Sequence, residues 1–125
     1  IDEIYLLFQH EYSANFLFTL WKRVRKYGAY ATGITQNVDD LLQSHTARTM
    51  LANSEFIIML NQAPTDRIEL AKLLNISDNQ LSYITNVGAG HGLIKVGSSL
   101  IPFANKFPKN TKLYKLMTTK PGEEV

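Results

Sequence analysis

Residues 4–27 contain neither glycine nor proline, and the run stops at Gly28. Within it Phe16/Leu17, Leu20/Trp21 and Val24 return at three-to-four spacing, which predicts one long helix with a buried face. Lys22, Arg23, Arg25 and Lys26 fill its last turns, where cations oppose the helix dipole. Residues 29–35 follow directly and are small or β-forming, so a buried strand ending at Gln36 is expected. A helix feeding straight into a buried strand points to α/β layers.

The rest of the chain continues that alternation. Asn37 is placed to cap a helical segment from Val38, and Ser44 to cap its continuation through residue 53. Residues 55–60, Glu55 followed by a continuous apolar run and then polar residues, have the pattern of a strand covered on both faces. A helix is expected over 64–74 and a shorter one from Ser77 to residue 84. The three glycines of residues 86–92 require a turn-rich loop. Residues 92–96 and 100–107 then predict an antiparallel hairpin around Gly97-Ser98-Ser99, with Pro102 keeping its second strand near an edge. Tyr114 and Leu116 lie in a last short element, and residues 121–125 are expected to be a disordered tail.

Composition narrows the chemistry. The 125 residues suit one domain, and 45% hydrophobic against 19% charged content is ordinary for a globular chain. A net charge of +2 does not by itself imply a nucleic-acid partner. Without cysteine, disulfides, thiolate catalysis and cysteine-ligated zinc are all excluded. No apolar run approaches the roughly 20 residues that cross a bilayer, and no charged leader with an apolar core is recognisable.

Five constellations bear on function. Asp2 and Glu3 are adjacent acids at the start of the helical run, able to hold a metal-bound water and activate it, although helix capping is the simpler use of such residues. Gln36 closes a strand of the kind at whose ends ligands gather in α/β sheets, where an amide can orient a water, contact a phosphate or merely bond a neighbouring loop. The cations of residues 22–26 would suit a phosphate or a solvated helix end equally. Gly88-Ala89-Gly90-His91-Gly92 lacks a following Lys-Ser/Thr and precedes a strand, so it is a turn and not a nucleotide loop. Residues 66–84 have the outline of a helix-turn-helix, but Asp78, Asn79, Gln80, Ser82 and Tyr83 supply no cation for phosphates. The three histidines are scattered, and no metal site is expected in this chain alone.

The order Ile1-Asp2-Glu3, then Trp21-Lys22-Arg23-Val24-Arg25-Lys26-Tyr27-Gly28, then Gly33-Ile34-Thr35-Gln36 resembles the second half of the RecA-like motor of HerA/FtsK-type ATPases. Gly92-Leu93-Ile94-Lys95-Val96-Gly97, Ile101-Pro102-Phe103 and Leu113-Tyr114-Lys115-Leu116 are similar to the end of the VirB-four-type conjugative transfer ATPases of type IV secretion. That resemblance implies an α/β fold: the C-terminal portion of a RecA-like P-loop NTPase domain, with parallel strands flanked by helices and a C-terminal β-hairpin. Residues 1–120 would be a partial domain from Walker B onward, and Ile1-Asp2-Glu3-Ile4 the end of a strand begun elsewhere.

The resemblance also implies roles. Asp2 matches the Walker B acid on the magnesium side, acting through water, and Glu3 the residue that polarises the attacking water. Gln36 matches the sensor on the neighbouring strand tip. Arg25, eleven positions before Gln36, matches the arginine finger serving a neighbouring subunit, with Arg23 a weaker match. ATP and Mg²⁺ are implied for a full-length parent, working as a hexamer at the cytoplasmic, peripheral side of the membrane with other secretion components and with DNA as an indirect partner, direct contact with DNA being left open. The departure is the missing Gly-x-x-x-x-Gly-Lys-Ser/Thr. Without it this chain alone is expected to hold no cofactor and hydrolyse no ATP. A non-enzymatic DNA-binding or regulatory module built on residues 66–84 is the alternative.

Overall fold

The run over residues 4–27 is helical but divides into three pieces: a 3₁₀ turn over Ile4–Phe8, α1 over Glu11–Arg23, and a second 3₁₀ turn over Val24–Tyr27. The structure, a computed structural model, describes residues 1–122. The first break has a local cause. The Ser13 hydroxyl contacts the carbonyls of Leu7 and His10, competing with the helical ladder, and His10 takes an extended backbone. The third piece ends at Gly28, left-handed at φ 66°, where a Cβ would be strained.

Residues 29–35 are not the expected buried strand. They are extended, Tyr30 stands in solvent, and no ladder runs along them. Their partners lie at the first residues of the chain. The Ile1 nitrogen donates to the Thr32 carbonyl at 2.8 Å, and the Ile34 N–H donates to the Ile1 carbonyl at 2.9 Å. One residue bonding to both flanks of its opposite number is parallel pairing, so Ile1 and Gly33 lie side by side. The Ile4 N–H adds a bond to the Ile34 carbonyl at 3.0 Å. A strand needs neighbours along its length, and here a single pair is present.

The remaining helices start where their capping residues place them. Asn37 accepts from the Asp40 N–H to open α2 (Val38–Gln43), and Ser44 accepts from the Ala47 N–H to open α3 (His45–Ala52). After β1 (Phe56–Met59), α4 spans Pro64–Leu74 and closes on left-handed Asn75. Ser77 and Gln80 form a reciprocal capping box over α5 (Asp78–Leu81), which continues as a 3₁₀ turn over Ser82–Ile84. The hairpin follows as β2 (His91–Val96) and β3 (Ser99–Ala104), turning through Gly97 at φ 57°, and α6 (Lys112–Met117) comes last. Of the expected tail, Pro121 and Gly122 form an exposed turn, and residues 123–125 lie outside the described residues.

The sheet is three-stranded and antiparallel in the order β1-β2-β3. Among the described residues, the parallel component of the expected α/β fold is thus confined to the Ile1/Gly33 pair. Ile57 and Met59 of β1 face inward, where α2, α4 and Ile84 cover them together with Leu93 of β2. The expectation that both faces of β1 are covered does not hold, since Phe56 is 66% and Ile58 65% exposed. Ile58 pairs with Ile94 and Ile94 with Ile101, so the open face carries a cross-strand row of isoleucines. Gly92 permits the closest approach in the sheet: a Cβ there would overlap the Met59 carbonyl oxygen and the Phe103 ring.

A second apolar cluster joins Ile4, Leu17, Leu41, Ala47 and Met50. It holds the first 3₁₀ turn and α1 against α2 and α3. Trp21 strengthens the junction by donating from Nε1 to the Ser54 hydroxyl at 3.2 Å.

Candidate functional site

Two side chains that the family resemblance assigns to one site meet in space. The Gln36 amide Nε2 donates to Glu3 Oε1 at 2.8 Å, across 33 residues of chain. The Ile1/Gly33 pair brings the two segments together, and local bonds then aim the amide. Thr35 Oγ1 accepts from the Asn37 N–H at 3.0 Å and donates to the Asn37 carbonyl at 3.2 Å, closing a turn around Gln36. Asn37 is fixed from the other side as the cap of α2, with its amide on Asp40 Oδ2 at 2.7 Å. Thr35 and Asn37 are therefore positioning residues. Their sequence signal is a threonine two residues before a helix-capping asparagine.

Glu3 itself is unusual in two respects. Its backbone is left-handed at φ 48°, a region that costs a residue with a side chain about 1 kcal/mol or more. Its second carboxylate oxygen, Oε2, is buried and has no hydrogen-bond partner. A carboxylate bonded through one oxygen keeps the other as an acceptor for a further donor.

Capping, the simpler use of the acidic pair, is not what either acid does. Asp2 Oδ1 accepts at 2.9 Å from the N–H of the very next residue, Glu3, and Glu3 at the cap position makes no side-chain cap bond. The Asp2 contact instead braces the left-handed turn. Asp2 is exposed, at the rim of the Glu3–Gln36 contact.

Arg25 is not part of that cluster. It lies exposed in the turn Val24–Tyr27, and no hydrogen bond or ion pair links it to Asp2, Glu3 or Gln36. Arg23 ends α1 and is exposed as well, whereas Lys22 rests its ammonium 4.2 Å above the Phe18 ring.

The other sequence candidates resolve plainly. The glycine run is a turn, tied by the Asn105 N–H donating to the Gly90 carbonyl at 2.7 Å. Within residues 66–84, α5 is a single turn packed beside core residues Ile76 and Ile84, and its exposed side chains carry no cation. Among the described residues, no group of three or more His, Cys, Asp or Glu side chains is arranged to hold a metal ion.

Glu3, bonded to the Gln36 amide beside the Ile1/Gly33 pair, is the contact that the fold builds here, and comparison with known proteins gives the class of protein. Residues 1–95 match the TraG P-loop domain, and the chain belongs to that family. The solved structure of VirB4 of Thermoanaerobacter pseudethanolicus superposes with a TM-score of 0.78 at 28% identity, over 86% of this chain and 30% of that one. The fold is thus a portion of a P-loop NTPase like VirB4, and the chain spans less than a third of that relative's length. No curated protein matches the chain.

Such a family implies a nucleotide with its magnesium, and the residues present fit one side of that group. Glu3 Oε2 is an unfilled buried acceptor, and Asp2 offers a second, exposed carboxylate. Magnesium is held in such sites by one or two carboxylates plus the phosphates of the nucleotide. The phosphate cradle does not occur in this sequence.

Proposed function

We propose that this chain is the C-terminal part of the motor domain of a conjugative type IV secretion ATPase, with residues 1–120 forming one partial RecA-like unit. The observation that carries the reading is the Gln36 amide on one oxygen of Glu3 while the other oxygen is buried and unfilled. In the full-length parent, Glu3 accepts the proton of the attacking water through Oε2. Gln36 holds the carboxylate in the one orientation that presents that oxygen, and senses the nucleotide from the neighbouring segment. Asp2 binds the magnesium ion through water, and that ion when bound offsets the negative charge of the phosphates.

Arg25 serves the site of the next subunit. Its exposure, with no ion pair to an acid among the described residues, supports that assignment, because a finger acting in trans must be unengaged at home. This implies a ring of subunits, taken here as a hexamer. The motor works at the cytoplasmic face of the membrane with other secretion components, drives machine assembly or substrate transfer, and meets DNA only indirectly. The chain on its own has no phosphate cradle and neither binds ATP tightly nor hydrolyses it.

The test is Glu3→Gln in the full-length protein. The amide keeps the shape but cannot take a proton, so turnover is expected to fall by about 10²–10⁴-fold with ATP binding retained. Unchanged turnover would remove Glu3 from the chemistry and the proposal with it.

A further inference from the structure

The charge of this chain is unevenly divided. Residues 1–78 carry seven Lys or Arg and nine Asp or Glu, whereas residues 79–125 carry six lysines and two acids, Glu123 and Glu124, both at the very end. Five of those lysines, Lys106, Lys109, Lys112, Lys115 and Lys120, are exposed on the segment that follows β3. The same segment exposes aliphatic side chains that the fold does not use. Leu116 is 69% and Met117 71% exposed, Leu113 is exposed beside them, and no residue of α6 is buried.

The two sets are arranged, not mixed. At the helical turn angle Leu113, Leu116 and Met117 span an arc of about 100°, with Lys112 and Lys115 along one border. Tyr114 forms the other border. Its ring stacks on Phe107 with centroids 6.4 Å apart, and Thr111 caps the helix through the Tyr114 N–H at 3.2 Å. These contacts fix the rotation of α6 so that the aliphatic arc faces solvent. Phe107, Leu113, Tyr114, Met117 and Thr118 enclose a shallow apolar depression of about 350 Å³ beside it.

We infer that α6 and its flanking lysines dock on an anionic lipid bilayer surface, as a short interfacial element. This deepens the membrane-peripheral placement proposed above and rests on it. Phosphate groups match the lysines, and the boundary between headgroups and acyl chains takes the aliphatic arc. A nucleic acid would match the lysines only, leaving Leu116 and Met117 in water. No helix among the described residues is long and apolar enough to cross a membrane, so the contact is at the surface.

The experiment is co-sedimentation of the protein with vesicles of equal parts phosphatidylglycerol and phosphatidylcholine, against vesicles of phosphatidylcholine alone. Binding is expected to the anionic vesicles only and to weaken with salt. Lys112→Gln with Lys115→Gln should weaken it about 25-fold, at about fivefold per lysine. Leu116→Ser with Met117→Ser should weaken it at least tenfold, since burying a single large apolar side chain is worth roughly that much. All four positions are exposed, so circular dichroism should be unchanged. Absence of vesicle binding overturns the inference, as does binding that the serine variant retains in full. A gel shift with duplex DNA that depends on the lysines and not on Leu116 and Met117, without vesicle binding, assigns the surface to nucleic acid and also overturns it. Turnover by the full-length protein is read separately, so loss of membrane docking and failure of the motor assignment remain distinct.

Discussion

Gln36 and Glu3 are joined by a 2.8 Å hydrogen bond from amide to carboxylate, on two segments held in register by the backbone bonds of Ile1 to Thr32 and Ile34. The bond commits one oxygen of Glu3 and leaves the buried one open. In the proposed role the bond orients the carboxylate, since the amide itself neither gains nor loses a proton. Gln36→Leu keeps the bulk and removes the donor. In the full-length protein the carboxylate would then rotate freely, and turnover should fall by about a hundredfold, the usual consequence of a small misplacement at a reacting centre. Steady-state ATPase assays should show the loss in kcat with little change in KM.

Arg25 makes a different prediction because it touches none of those groups. Arg25→Ala in the full-length protein should reduce turnover by about a thousandfold or more while leaving ATP binding nearly intact, as expected of a finger that acts only on transition-state charge. Titration with a fluorescent ATP analogue, set beside hydrolysis rates, checks it. Turnover at the original rate would sink the assignment.

The two faces of the sheet predict opposite sensitivities. Leu93 is fully buried among Ile57, Met59 and Ile84, and Leu93→Ala should cost about 2–5 kcal/mol through lost burial and the cavity left behind. Ile58 is one residue from the buried face but points the other way. Ile58→Ala should cost less than about 1 kcal/mol. Urea denaturation of the two variants, with similar m-values, makes the comparison.

Asp66 sets a pH dependence. Desolvation by burial, followed by the nearby negative charge of Asp39, raises its pKa above the ordinary 3.8. The unfolded chain therefore releases this proton at lower pH than the folded one, and ionisation costs stability as pH rises from 3.8 through the folded-state pKa. Asp66→Asn removes that cost. The variant should be more stable than the parent chain at neutral pH, with the difference vanishing below 3.8. Thermal melts across the acid range test the sign.

Much of the local structure was legible in residue types. Asn37, Ser44 and Ser77 open helices where their side chains can accept backbone N–H groups, and Gly97 turns the hairpin where a left-handed residue is needed. Asp2, Glu3, Gln36 and Arg25 stood out by chemical type and by likeness to a motor family. The bond between Glu3 and Gln36 did not, and Arg25 lies apart from both. Capping was the simpler reading of the acids, and it gave way once Glu3 lay against Gln36, a contact that no spacing along the chain encodes. Nor could the apolar run around Phe56 reveal that one face of its strand is open, since hydrophobicity reports a preference and not the presence of a cover.

The sequence by itself determined the caps, the turns and the hairpin, because each is satisfied within a few residues of backbone. Only the tertiary structure decided that residues 3 and 36 form one acidic–amide contact, that β1 buries Ile57 and Met59 while exposing Phe56 and Ile58, and that α6 turns its aliphatic arc to solvent. Those outcomes depend on which distant elements arrive alongside. That is settled by packing and by backbone hydrogen bonds between segments far apart in the chain.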